Sequence, residues 1–403
     1  MQNWGILQKN RTYRNLWIAN AGSQLGDWFN QVALAQITLQ LTHSSEAMGL
    51  VLLCRSLPAV VLGPFAGPFV DRFPKKPFLF ATDVLRAGFA FGYAFAFIFH
   101  ASWILYAGSL LLGISGVFFN PARDAAIPLV VKPEDLTETY ALESGTTGIL
   151  QILGAVLGGI LAVTVSPFVC FAINAASYLW SALCILRAQW LEVHAATSLH
   201  TPYLQALSAG FHASVRNRIV RSIIFIGISW GLAGGGYYLL IPLLGSQTFH
   251  LGGLGIGLLY AIDGIGVLIG SYLVHRIVGK NHHRAVIWYG VAYLTQALFF
   301  GLLAQSTFFL LGSLLLLLMR VSSGVIIPLD SYLLQTSTEQ EMRGRIFALH
   351  SSTYGGVMQI SYILAGYAFE HIGIPLAGLL IAIISLLCGA SWLIQFAAQG
   401  NAA

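Results

Sequence analysis

Apolar residues run along this chain in long blocks, each broken by a short polar or glycine- and proline-containing stretch. A helix needs roughly 20 predominantly apolar residues to cross a bilayer. Twelve blocks reach that length: 13–41, 47–71, 77–99, 103–131, 143–165, 168–187, 219–245, 255–279, 285–304, 307–335, 346–369 and 374–397. Connections are short except for a polar stretch from Ala188 to Arg218, which carries His194, His200 and His212 and divides the spans six plus six. The pattern predicts an all-α membrane protein of twelve transmembrane helices. An N-terminal six-helix bundle covers 1–187, a cytoplasmic linker 188–218 and a C-terminal six-helix bundle 219–403. Met1 to Arg14 is polar and basic, and the apolar block behind it is too long for a cleavable signal, so it reads as a retained first span.

Composition narrows the class. The chain is 57% hydrophobic and 9% charged, against roughly a quarter charged for a soluble domain. Cys54, Cys170, Cys184 and Cys388 lie inside apolar runs, so neither a disulfide framework nor a zinc spacing is present, and no metal or other cofactor is expected. The net charge of +5 is explained by position. Lys9, Arg14, Arg72, Lys75, Lys76, Arg123, Arg187, Arg221, Lys280, Arg284 and Arg345 fall at one set of loops and span ends. The opposite loops, near His43, His100, Ser166, His250, Ser306 and His371, hold no Lys or Arg. This asymmetry puts both termini and the linker in the cytoplasm of a multi-pass inner-membrane protein, and a nucleic-acid partner has no support.

The two halves resemble each other. A shift of 208 aligns Gly49-Leu50 with Gly257-Leu258, Arg72 with Lys280 and Lys76 with Arg284; a shift of 207 aligns Pro121 with Pro328, Glu134 with Glu341 and Ala141-Leu142 with Ala348-Leu349. Together they read as a six-helix unit used twice. Arg55 then aligns with Asp263, and Arg123 with Asp330, so charge sits at equivalent depths with opposite sign.

Asp27, Arg55, Asp263 and Arg320 lie deep in their spans. Each costs about 2.5–3.5 kcal/mol on insertion scales and so needs a partner or water. Gln24, Asp27, Gln31 and Thr38 form a stripe at helical spacing, as on a cavity-lining span. Asp27–Arg55 and Asp263–Arg320 are candidate coupling pairs, with Asp27 the first candidate for a proton carrier and Asp263 the second; equally, both are candidate structural pins between helices. Asp83 and Arg86 pair at i, i+3, with Arg86 expected to snorkel to the cytoplasmic surface in a structural role. Trp28, Phe29, Tyr237 and Tyr260 are candidate walls for a greasy or cationic substrate. Gly63 and Gly67, Gly154 and Gly158, and Gly266 and Gly270 have the spacing that permits close helix contact, and Gly234-Gly235-Gly236 is a candidate flexible point.

Between the second and third spans stands Gly67-Pro68-Phe69-Val70-Asp71-Arg72-Phe73-Pro74-Lys75-Lys76. It resembles the signature loop of the major facilitator superfamily, with Pro74 where the family usually has glycine. Gly26-Asp27-Trp28, Arg55-Ser56-Leu57-Pro58, Asp83-Val84-Leu85-Arg86, Asn120-Pro121-Ala122-Arg123 and Arg343-Gly344-Arg345-Ile346-Phe347-Ala348-Leu349 follow in order. They resemble the drug:proton antiporter branch that includes macrolide-efflux and enterobactin-export carriers. Gly154-Ala155-Val156-Leu157-Gly158-Gly159 resembles part of that branch's antiporter motif, which usually has proline at the Ala155 position. The resemblance implies a monomer in the lipid bilayer that exports an amphipathic small molecule against entering protons. It also implies alternating access, with the substrate site between the halves near mid-bilayer.

Nothing in the sequence favours an enzyme: Gly-x-Ser-x-Gly, His-Glu-x-x-His and Walker patterns are all missing. A lysophospholipid flippase of the same superfamily is the other transporter reading, and a non-transporting membrane receptor the reading from another class. At the cytoplasmic end, Gly67, Asp71, Arg72, Lys75, Lys76, Arg123 and Asp124 are expected to form a gate. Thr338-Glu339-Gln340-Glu341 has capping-box form, so Asp71 is expected to dock on the start of span 11 while Arg72 pairs with Asp124.

Overall fold

The computed structural model describes residues 5–189, 203–279 and 281–396, and these contain helices and no strand. His194, His200 and Lys280 lie outside the described residues. In chain order the α-helices are α1 (Gly5–Lys9), α2 (Arg11–Thr42), α3 (Ser45–Val70), α4 (Lys75–Phe99), α5 (Trp103–Val130), α6 (Leu136–Thr164) and α7 (Pro167–Arg187). They continue with α8 (Tyr203–Arg216), α9 (Arg218–Leu243), α10 (Gly252–Ile277), α11 (His282–Gln305), α12 (Phe309–Thr336), α13 (Arg343–His371) and α14 (Gly373–Phe396). Among the described residues, ten helices are long and apolar enough to cross a membrane. α2 and α13 are as long but carry more polar side chains, among them Asn20, Gln24, Asp27 and Gln31 on α2 and His350, Thr353 and Gln359 on α13.

Local chemistry sets the helix ends. Asn10 caps α2 by accepting from the Tyr13 N–H at 2.9 Å, and Asn217 caps α9 by accepting from the Ile219 N–H at 3.0 Å. Each cap satisfies an amide that the first turn leaves without a partner. At the other ends, His43, His100 and His250 adopt the left-handed conformation, with φ of 51°, 51° and 54°. The Thr338-x-x-Glu341 capping box does not form. The Thr338 hydroxyl donates back to the Leu334 carbonyl at 2.7 Å, and a 3₁₀ turn at Gln340–Met342 precedes α13.

The chain divides into two compact units. The first holds Met1–Leu199 with Gly245–Ala261, and the second His200–Leu244 with Ile262–Ala403. The core of the first is built around Phe29, Ala33, Ala90, Tyr93, Phe171 and Tyr178, and that of the second around Ile223, Tyr289, Tyr293, Leu333 and Trp392. One hydrogen bond occurs in both units at an offset of 207. Asn10 Nδ2 donates to the Val130 carbonyl at 2.6 Å, and Asn217 Nδ2 to the Ser337 carbonyl at 2.7 Å. His43 and His250 are separated by the same offset.

The glycines fall into two groups. In the first unit a Cβ on Gly154 would stand 2.7 Å from Trp28 Cβ, one on Gly158 3.0 Å from Phe29 Cα, and one on Gly159 2.6 Å from the Gly253 carbonyl oxygen. In the second unit Gly266 packs on Arg320 and Leu317, and Gly270 on Val321 and Gly324. A Cβ on Gly63 or Gly67 would meet nothing within 4 Å outside their own helix, so their spacing does not mark a contact. α9 runs unbroken through Gly234-Gly235-Gly236, and Gly235 lies against Ser361, whose hydroxyl accepts the Gly235 N–H at 3.0 Å.

Candidate functional site

In the first unit three side chains converge on Asp27 of α2. The Tyr178 hydroxyl of α7 donates to Oδ1, Arg86 Nη2 of α4 lies 3.4 Å from Oδ2, and Arg55 Nη2 of α3 lies 3.9 Å from Oδ1. Small residues at the helix contacts, Ala87, Ala90 and Ala175, let these helices approach closely enough for the polar side chains to meet. Arg86 is buried, so the expected snorkelling to the surface does not occur. Its Nη1 reaches Asp83 at 3.1 Å, its Nη2 reaches the Tyr178 hydroxyl at 3.2 Å, and its guanidinium packs on the rings of Phe119 and Tyr178 at 4.5 and 4.1 Å. Asp83 is fully buried and accepts from the Ser181 hydroxyl at 2.5 Å. Two arginines thus face two carboxylates, so the cluster is electrically neutral when both carboxyls are ionised. That balance offsets the large desolvation cost of each charge.

The second unit has a simpler cluster. Asp263 of α10 is paired with Arg320 of α12 and accepts from the Tyr237 hydroxyl of α9, while the Arg320 guanidinium lies 4.7 Å from the centre of the Tyr237 ring. The residues singled out on the sequence for coupling are therefore brought together as Asp27 with Arg55 and Asp263 with Arg320. Of the substrate-wall candidates, Trp28 meets Tyr260 edge to face at 5.8 Å, both within the first unit. Phe29 is buried in the core, and Tyr237 is buried against its ion pair. Gln31 is half-buried, whereas Thr38 is wholly buried with its hydroxyl on the Leu34 carbonyl at 2.7 Å, so the wet stripe of α2 stops short of it.

At the α3–α4 turn, Lys75 Nζ lies 3.2 Å from Asp71 and donates to the Val70 carbonyl at 2.8 Å; Lys76 Nζ donates to the Ala188 carbonyl at 2.7 Å. Phe69, Phe73 and Phe78 stack around the turn. The expected Arg72–Asp124 pair is not made. Asp124 lies 3.5 Å from Arg123 of its own helix, and Arg72 is exposed.

The sequence reading missed Tyr178, Glu143 and His350. Glu143 pairs with Arg123 and accepts from Tyr13 at 3.3 Å and Asn20 at 3.1 Å. His350 Nε2 lies 3.0 Å from Asp330. A signal was present: the offset of 207 that relates Arg123 to Asp330 also relates Glu143 to His350.

The sequence profile of the Major Facilitator Superfamily matches residues 16–360. A Bacillus amyloliquefaciens protein provisionally named as a bacilysin exporter, BacE, is 26% identical over 378 residues that cover 93% of each chain. Macrolide efflux protein A of Streptococcus pyogenes is 23% identical over 394 residues, covering 93% of this chain and 95% of its own. The crystal structure of a mutant of the nucleoside transporter NupG superposes with a TM-score of 0.78 over 96% of this chain and 100% of its own at 12% identity, a likeness of fold. The profile spans most of the chain, and this protein belongs to the Major Facilitator Superfamily of membrane transporters.

Proposed function

We propose that the protein is a proton-coupled exporter of amphipathic small molecules, working by alternating access as a monomer in the inner membrane with both termini cytoplasmic. α2 and α13 then cross the membrane with the ten more apolar helices, giving twelve spans in two six-helix repeats. The shared hydrogen bonds of Asn10 and Asn217 support the repeat. The efflux names of the relatives support the direction of transport.

The observation that carries proton coupling is the unequal standing of the two arginines around Asp27. Arg86 also holds Asp83, but Arg55 has Asp27 as its only carboxylate partner among the described residues, and its side chain is 29% exposed. A proton on Asp27 therefore leaves Arg86 compensated by Asp83 and leaves Arg55 without its carboxylate partner. Loss of the proton restores that partner. One protonation thus changes one interhelical contact, between α2 and α3, which is the change a coupled cycle needs. Substrate counterflow in proteoliposomes, with and without an imposed proton gradient, tests the reading. Asp27→Asn is expected to abolish the response to the gradient while the protein is still expressed and inserted. Gradient-driven export at the wild-type rate in that variant would exclude Asp27 as an essential carrier.

A further inference from the structure

A cavity of about 360 Å³ lies in the second unit, and the proposed coupling pairs do not line it. Its wall includes Trp230 of α9, Tyr293 of α11, Asp330 of α12, and Phe347, His350 and Tyr354 of α13. Asp330 Oδ1 accepts from the Tyr289 hydroxyl at 2.6 Å, and Oδ2 faces His350 Nε2 at 3.0 Å. The lining contains no lysine or arginine, so the imidazole is the carboxylate's only potential cation there. Gly227 makes room for that ring, since a Cβ would stand 2.6 Å from His350 Cε1. His350 Nδ1 is buried and has no hydrogen-bond partner among the described residues, so little besides Asp330 holds the ring by polar contact.

The first unit has a cavity at matching positions, of about 370 Å³. Arg123, Asp124, Tyr140, Glu143, Ser144 and Thr147 line it, and the positions 207 later are Asp330, Ser331, Phe347, His350, Ser351 and Tyr354, all of which line the second. The chemistry of the two has diverged. The first contains a fixed guanidinium, held by Glu143. In the second, a carboxylate stands where that arginine was, Thr147 is answered by tyrosine and Tyr140 by phenylalanine. A carboxylate among aromatic faces, with a displaceable partner, suits a ligand that is both greasy and positively charged.

We propose that the second cavity binds a hydrophobic organic cation, such as a protonated amine bearing aromatic groups, with Asp330 as its counter-ion and His350 as the group it displaces. This deepens the export reading, on which the ligand's role as cargo rests. Imidazolium and the ligand compete for the same carboxylate oxygen. A charged imidazole holds that oxygen by a charge-assisted bond, a neutral one more weakly. A proton on the imidazole therefore weakens ligand binding, and its removal strengthens it. The other titratable groups nearby are Tyr289 and Tyr293 of α11, Tyr354 of α13 and Cys388 of α14, beside Tyr293; the α9 wall, Gly227 and Trp230, has none. Those tyrosines and that thiol do not change charge over the acid-to-neutral range in which histidine does.

The test is equilibrium binding of radiolabelled methyltriphenylphosphonium, a permanent cation, to the full-length protein in nanodiscs at about pH 5.5 and about pH 7.5. Wild type is expected to bind more tightly at the higher pH. Asp330→Asn is expected to weaken binding at least about tenfold at pH about 7.5, and Asp330→Glu to recover part of it. His350→Gln is expected to keep binding but lose its pH dependence. Triphenylphosphine oxide, a neutral molecule of similar shape, is expected to compete poorly. Unchanged affinity in Asp330→Asn, equal competition by the oxide, or a pH response that persists in His350→Gln would each overturn the proposal. If Asp330→Asn does not fold, the pH profile of His350→Gln decides, because it leaves the carboxylate in place. Binding is read without a gradient or transport, so a protein that binds but does not export rejects the export reading alone. One that exports but does not bind the cation rejects this inference alone.

Discussion

The Arg86 guanidinium lies 3.4 Å from Asp27, fifty-nine positions earlier in the chain, while its other amino group holds Asp83 at 3.1 Å. One arginine thereby joins two carboxylates, one fully buried and one partly exposed. Arg86 therefore has two carboxylate partners among the described residues and Arg55 one. Three consequences can be measured, and a fourth concerns the glycines.

Arg86→Gln is expected to destabilise the protein more than Arg55→Gln. Removing Arg86 strands Asp83 in the interior, at a cost of about 3–5 kcal/mol for a broken buried pair. Arg55 is more exposed, and Asp27 keeps Arg86 when it goes. Thermal unfolding of both variants in the same detergent checks the order. Equal midpoints would mean that Arg86 carries no special structural load.

Asp83→Asn added to Arg86→Gln is expected to recover much of that loss, because the pair is then neutral and Ser181 can still hydrogen-bond to position 83. Additive losses in the double variant would show that Asp83 and Arg86 do not depend on each other.

Asp27→Asn combined with Arg55→Gln is expected to unfold at a higher temperature than Arg55→Gln and Asp27→Asn would predict by simple addition. The coupling should be modest, since the two groups are 3.9 Å apart and partly exposed. About 0.5–1 kcal/mol is the range for a pair in contact of this kind. A double-mutant cycle on thermal stability with no coupling term would mean that they meet only in another state of the transport cycle.

Gly159→Val is expected to impair folding, whereas Gly63→Ala is not. A Cβ at Gly159 meets backbone, the Gly253 carbonyl at 2.6 Å and Gly257 Cα at 3.2 Å, so the helices must separate. Overpacking of this sort costs about 1–3 kcal/mol. At Gly63 the Cβ enters open space, and helix propensity favours alanine by about 1 kcal/mol. Yield and melting temperature of the two variants, purified side by side, give the comparison.

Much of the secondary structure was legible in the sequence. The blocks predicted at 47–71, 77–99 and 103–131 correspond to Ser45–Val70, Lys75–Phe99 and Trp103–Val130. Chain in a bilayer must satisfy its backbone internally, so an apolar block of that length has no alternative to a helix. The partners Asp27–Arg55 and Asp263–Arg320 were legible for a related reason: charges deep in apolar blocks are few, and each needs a counter-charge. The capping box at Thr338 failed because two local options compete for one hydroxyl, and the free carbonyl of Leu334 took it.

What the sequence by itself determined is that the long apolar blocks are helices and which residues are too polar to face lipid; it did not show that α6 begins at Leu136 or that α8 forms within the polar linker. The two things it determined depend on local length, spacing and transfer cost. Only the tertiary structure decided that Arg86 turns inward to Asp27, that Glu143 holds Arg123 and His350 faces Asp330, and that Gly159 is packed while Gly63 is open. Each depends on how a helix is rotated about its own axis and on which neighbour lies against it. Rotating a helix changes little in its own backbone hydrogen bonding; the packing of side chains between helices selects the setting.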